Sequence, residues 1–283
     1  MKKHLLLGAS IASIVLIGCS NLGNSQAQVE TPQDSLPSTE IAANQSFSYQ
    51  DYDEVLKAYV DDRGLVDYVS LQANRDKLDR FNQSLGTVSP ETYNSWSESE
   101  KIAFLSNAYN SFTLQSIIDQ NPLKDSIRDI SGVWNRRKFL LAGEERTLDN
   151  IEHDILRKDF NEPRIHVALV CAAISCPPLR NEPYTAEKLD TQLDDQTAKF
   201  AASPHGFKID KEDNKVYLSS IFKWYGKDFI KTYGVEDKFS GNDKQRAVIN
   251  YFSNELKSED RQFIENQNYK VKHLDYDWSL NIQ

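Results

Sequence analysis

Residues 97–119 (SESEKIAFLSNAYNSFTLQSIID) constrain the fold more than any other stretch of the chain. Ser97-Glu98-Ser99-Glu100 opens a helix that runs to about Asp119, and Pro122 follows its end. Ile102, Leu105, Tyr109 and Phe112 form one row along it. Ala103, Asn107, Asn110, Leu114 and Ile118 form a second row at three- and four-residue spacing. A surface helix needs one apolar stripe, and this one has two, so it is expected at the centre of a domain. Asn107 and Asn110 then lie within an otherwise apolar row. A buried amide must find partners or cost a few kcal/mol. Either asparagine can bond a neighbouring backbone. As a pair three apart on one face they are also candidates to line and orient a polar cleft.

The elements around this helix are mixed. Residues 49–60 have helical spacing at Tyr52, Val55, Leu56 and Tyr59, broken by Arg63-Gly64. Residues 65–69 predict a short strand and 70–85 an amphipathic helix with Leu71, Leu78 and Phe81 on one side. Ser89-Pro90 opens another helical turn, since Ser caps well and Pro suits the first helical position. Residues 138–142 and 145–148 flank Gly143 and predict a hairpin. Asp149 caps a helix to about Phe160, with Leu148, Ile151 and Ile155 on its apolar face. His153 and Arg157, four apart, occupy its other side, which is either solvent or the wall of a cleft.

Residues 164–171 (RIHVALVC) predict a strand. Alternation puts Ile165, Val167, Leu169 and Cys171 on one face and His166 on the other, so His166 and Cys171 are not expected to meet. Further on, the pattern gives a helix over 185–200 and a hairpin over 207–218. Helices over 219–233, 244–256 and 258–265 follow, with a last strand over 269–274. The fold class is α+β: a mainly helical single domain, residues 47–283, around a small, largely antiparallel sheet.

The N-terminus has another purpose. Lys2 and Lys3 precede an apolar run from Leu5 to Ile17, which reads as a processing signal over residues 1–18 and is short for a membrane span. It ends Leu16-Ile17-Gly18-Cys19, which resembles the lipobox of bacterial lipoproteins. That resemblance implies cleavage before Cys19, lipid on its thiol and new amine, and a lipid bilayer as partner. Ser20, where an Asp would hold the protein at an inner membrane, implies the outer membrane in a host that has two. Residues 19–46 are rich in Ser, Gln, Asn and Pro and cannot bury enough surface to offset their ordering entropy, so they are expected to be a tether. The formal net charge is -9, and losing Lys2 and Lys3 would bring it to about -11. An acidic chain without a basic run argues against nucleic-acid binding.

Four blocks carry a second resemblance: residues 101–118, 148–157 (LDNIEHDILR), 164–180 (RIHVALVCAAISCPPLR) and the terminal Tyr276-Asp277-Trp278-Ser279-Leu280-Asn281. Together they resemble the family called domain of unknown function 547, from about residue 97 to the C-terminus. The family's name supplies characteristic residues and a fold, not a reaction. Val170 stands directly before Cys171 where the family leads one to expect a small polar residue such as Asn.

Residues 166–180 leave three readings open. Cys171 and Cys176 can form a disulfide, which the envelope permits and the intervening turn can close. Alternatively Cys176 is a nucleophile, with His166 or His153 as base, Asn107 or Asn110 as orienter, and Arg180 as the cation that lowers its pKa. Or His153, His166, Cys171 and Cys176 bind zinc, although four residues between cysteines is looser than the usual knuckle. No cofactor is otherwise indicated. The chain is therefore expected to be an extracytoplasmic lipoprotein with a polar cleft of Asn107, Asn110, His153, Arg157, His166, Cys176 and Arg180. Its action is either that of a thiol-dependent hydrolase or transferase, or that of a binding or scaffold protein.

Overall fold

The computed structural model describes residues 47–266 and 268–283. The expected signal, the lipidation site Cys19 and the tether lie outside the described residues. Residues 47–283 form one compact unit, and it is mainly helical with two small sheets.

Helices α1 (Gln50–Tyr59), α2 (Tyr68–Ala73), α3 (Asp76–Thr87) and α4 (Pro90–Ser95) lead into the long α5 (Glu98–Ile118). Ser97 and Glu100 form a reciprocal capping box at the start of α5, which fixes where the helix begins. Every residue from Ile102 to Leu114 is buried. This is the centre of the larger of two apolar clusters, whose members include Tyr52, Leu56, Leu71, Phe81 and Phe112. The expected strand at residues 65–69 reduces to a bridge at Val66, because Asp67 caps α2 by accepting from the Ser70 N–H at 2.9 Å.

Strands β1 (Phe139–Leu141) and β2 (Glu144–Arg146) form the predicted antiparallel hairpin. Its two-residue turn, Ala142 (φ 48°) and Gly143 (φ 77°), has positive φ at both positions, the geometry that matches the strand twist. The segment Asn150–Leu156 is a π-helix, continued by the short α6 (Arg157–Asp159).

The strand expected over residues 164–171 is the clearest correction. Ile165–Ala168 is a single helical turn, α7, and the chain becomes extended only at Leu169. Among the described residues no neighbouring strand offers it a ladder. Asn110 supplies the pairing instead: its amide donates to the Ala168 carbonyl at 2.9 Å and accepts from the Val170 N–H at 2.8 Å. The alternation that separated His166 from Cys171 therefore does not apply.

Next comes α8 (Leu189–Ala202). The remaining chain forms β3 (Phe207–Asp210), β4 (Lys215–Leu218), α9 (Ser220–Tyr225), a 3-10 turn at Gly226–Phe229, α10 (Ile230–Tyr233), α11 (Asp243–Ser253), α12 (Ser258–Glu265) and β5 (Lys270–His273). β3 and β4 pair antiparallel, and β5 joins β4 in parallel. These elements bury a second apolar cluster of Phe200, Phe222, Phe229, Val248 and Phe252, which Val167 of α7 also joins. The neighbours of Val167 in α7 and the following residues, Ile165 and Ala168, belong to the first cluster, so α7 sits where the two meet. The C-terminal segment closes the arrangement by bridging Ala173 through Leu280 and Val66 through Ile282. Among the described residues no helix is long and apolar enough to cross a membrane.

Candidate functional site

A cavity of about 380 Å³ opens where α5, the π-helix, α7, the loop after it, α9 and the C-terminal segment converge. One wall is aromatic: Trp134, Trp224, Tyr225, Tyr276 and Trp278. Trp224 is 44% exposed. Its ring centroid lies 4.9 Å from that of Tyr276 and 5.9 Å from that of Trp278. The polar part of the lining carries Asp149, Glu152, His153, His166 and the two cysteines.

The π-helix explains how the carboxylates arrive there. Its wider turn is an i→i+5 geometry: Ile155 packs against the first apolar cluster as the 3.6-residue period placed it, and Leu156 is fully buried beside it. The same turn buries Glu152 beneath Tyr109 and Tyr225. Burial first, then the charge and hydrogen bond of Glu152, pushes both tyrosine hydroxyls above their usual range. Burial likewise raises the Asp149 carboxyl, against a smaller opposing effect of His153. Arg157 approaches His153 Nδ1 at 3.1 Å. Arginine can only donate, so the guanidinium presents a donor to this nitrogen.

His166, 4% exposed on α7, sits on a built support. Its Nε2 lies 2.9 Å from Asp228 Oδ2, and its ring stacks on Tyr225 at 4.5 Å and 10°. Arg157 grips the same carboxylate from the other side, Nε to Oδ2 at 2.7 Å and Nη2 to Oδ1 at 3.1 Å. Burial would raise the Asp228 pKa, but the hydrogen bonds and charges of His166 and Arg157 outweigh it and hold the carboxyl well below its usual range. An ionised Asp228 accepts from Nε2–H, which in a neutral ring leaves Nδ1 as an acceptor.

Cys171 and Cys176 are joined as a disulfide, with Cα atoms 6.3 Å apart. The Cys176 Sγ accepts the Cys171 N–H at 3.0 Å, and the Tyr276 hydroxyl lies 3.2 Å from the Cys176 sulfur and 3.3 Å from that of Cys171. Among the described residues no hydrogen bond joins His153 or His166 to either sulfur. Sulfurs bonded to each other are not thiolate ligands. Among the described residues no group of three or more His, Cys, Asp or Glu side chains is arranged to hold a metal.

The structure thus brings His153, His166, Cys171 and Cys176 to one cavity and keeps the other expected cleft residues out of it. Asn107 donates to the Tyr184 carbonyl at 2.7 Å and accepts the Tyr184 N–H at 3.0 Å. Asn110 clamps residues 168–170 in the same way. Both amides are satisfied by backbone and neither lines the cavity. Arg180 is turned away, paired with Glu182 at 2.6 Å and with Asp195. Arg157 stands behind the cavity wall, holding Asp228 and His153. Sequence reasoning missed Asp228, Glu152, Tyr225 and Tyr276. Two of these had a signal: Glu152 and Tyr276 fall inside blocks singled out for their resemblance. Asp228, 62 residues from His166 in an ordinary helical pattern, had none.

A family model described as "Protein of unknown function, DUF547" matches residues 93–201. A domain of that family is therefore present, spanning α5, the π-helix, α7, the disulfide loop and nearly all of α8. The match ends before Asp228, Tyr276 and Trp278, so it covers only part of the cavity lining and not the C-terminal block to which the resemblance was expected to extend. Comparison with curated proteins gave no match, and comparison with solved structures gave none either.

Proposed function

We propose that the chain is an extracytoplasmic lipoprotein, held to a bilayer by lipid on Cys19, whose domain binds a small ligand in the cavity. The observation that carries the binding reading is the cavity itself. Its volume, about 380 Å³, falls in the size class of small-molecule sites, and it combines an aromatic wall with a few converging polar groups. In the oxidised state the sulfurs face each other and the imidazoles serve other partners, which favours binding over thiol catalysis. A ligand-observed NMR screen over cationic, neutral and anionic fragments tests this. Asn135 is exposed at the cavity, so Asn135→Trp fills the opening without disturbing the core. Hits that Asn135→Trp abolishes support the reading. Hits that it leaves unchanged, or no hits at all, overturn it.

One observation favours a second reading, a thiol-dependent hydrolase or transferase. The Asp228–His166 pair ends at the cavity that the sulfurs also line, so reduction would free a thiol in the same cavity as an oriented imidazole. Turnover of thioester probes by the reduced chain, lost in His166→Ala and Cys176→Ser, would replace the binding reading by this one.

A further inference from the structure

The disulfide is poorly explained as a staple. Its loop is short, and stabilisation by a crosslink grows with loop length. The turn it spans is already held from outside: the Ile174 N–H donates to Ser279 at 2.8 Å, Asn281 N–H to Ala172 at 3.0 Å, and Asn110 clamps residue 170. Gly64 packs so tightly on the following prolines that a Cβ there would lie 2.5 Å from the Leu179 nitrogen. The loop would keep its place without the bridge. Yet the bridge faces a cavity, where a structural disulfide gains nothing and risks reduction.

The two sulfurs are also unequal. Cys176 is 7% exposed, while Cys171 is partly exposed. Cys176 Sγ receives a backbone N–H, and a tyrosine hydroxyl lies within hydrogen-bond reach. The hydroxyl reaches both sulfurs, 3.2 Å from Cys176 and 3.3 Å from Cys171, so the backbone N–H is what favours negative charge on Cys176 and makes it the better leaving group in thiol–disulfide exchange. The cavity walls carry Asp149 and Glu152 and, among the described residues, no lysine or arginine. They repel an anionic reagent and admit a neutral or cationic one.

We infer that the Cys171–Cys176 disulfide is a reactive redox centre that accepts two electrons from a small neutral or cationic dithiol, or from two such thiols, entering the cavity. A thiolate attacks Cys171 Sγ. The Cys171–Cys176 bond breaks and its electron pair leaves on Cys176 Sγ, held by the Cys171 N–H and the Tyr276 hydroxyl. A second thiolate then attacks the reagent's own sulfur in the mixed disulfide and releases Cys171. The reagent leaves as a disulfide, and the two protons it gave up end on the two cysteines.

The experiment follows reduction of the full chain by dithiothreitol, quenching with an alkylating agent and reading mass. It compares folded chain with urea-unfolded chain and with Tyr276→Phe, each checked by circular dichroism. Cysteamine and 3-mercaptopropionate serve as cationic and anionic monothiols. The folded chain is expected to react at least as fast as the unfolded one. Tyr276→Phe should slow it about tenfold, the loss of one hydrogen bond to a developing charge. Cysteamine should be trapped on Cys171, about tenfold faster than the anionic thiol. Reduction only after unfolding, trapping on Cys176, equal rates for the two monothiols, or a Tyr276→Phe variant as fast as the parent would each overturn the inference. Because the readout is covalent, fragment binding without exchange would leave the binding reading standing.

Discussion

Asp228 decides the electrostatics behind the cavity. Its carboxylate holds His166 and Arg157 together, and those contacts keep its folded pKa well below the usual range although burial works the other way. The folded state therefore binds fewer protons at this site than the unfolded chain. The resulting stabilisation is complete above the unfolded value of about 4 and is lost as pH falls through the folded value. Asp228→Asn is expected to cost about 2 kcal/mol at pH 7, because Arg157 is left without its charge partner. It should also flatten the loss of stability below about pH 4. Urea unfolding at pH 7, 4 and 3 checks this, and parallel acid limbs for parent and variant would refute it. Residue chemistry was legible here only in part. The sequence marks the imidazole and the thiols as reactive types, but only the fold shows that Asp228 orients one and that the others close on themselves.

At the scale of elements, α5 is the part best read from sequence. Its two apolar rows predicted a central helix, and the capping box and burial agree. Asn107 and Asn110 act as the backbone-bonding alternative foresaw: each presents an amide to a segment that lacks a ladder partner. Asn110→Ala leaves the buried Ala168 carbonyl and Val170 N–H without these bonds, and the expected cost is about 2–4 kcal/mol. A midpoint shift in chemical denaturation measures it, and a change within ±0.5 kcal/mol would contradict the clamp. The same clamp explains the misread strand. The apolar and β-branched residues of 164–171 suit an extended chain, but β-propensity reflects neighbours as much as backbone, and here the neighbour is a helix. The π-helix was illegible for a similar reason. A 3.6-residue period fits Leu148, Ile151 and Ile155, and only packing reveals that Leu156 turns in.

For the whole molecule, the α+β class followed from the mixture of periodicities. The strands form two small sheets, largely antiparallel as expected, with β4 and β5 as a parallel pair. The cavity drew on segments more than a hundred residues apart, such as Cys176 and Tyr276, which no local pattern could join. Tyr276 and Trp278, near the C-terminus, line the cavity. The proposed anchor makes its own prediction. Cys19→Ser should move the protein from the membrane to the soluble fraction of the envelope, read by fractionation, and full membrane retention would count against lipidation.

On the proposed reading, the cavity lined by the disulfide and the aromatic side chains is where this protein meets its ligand. A crystal structure of the chain with a fragment hit bound is the most direct measurement. Density is expected against Tyr276 and Trp224, within van der Waals contact of Cys171. Density confined to another surface, with this cavity empty, would contradict it.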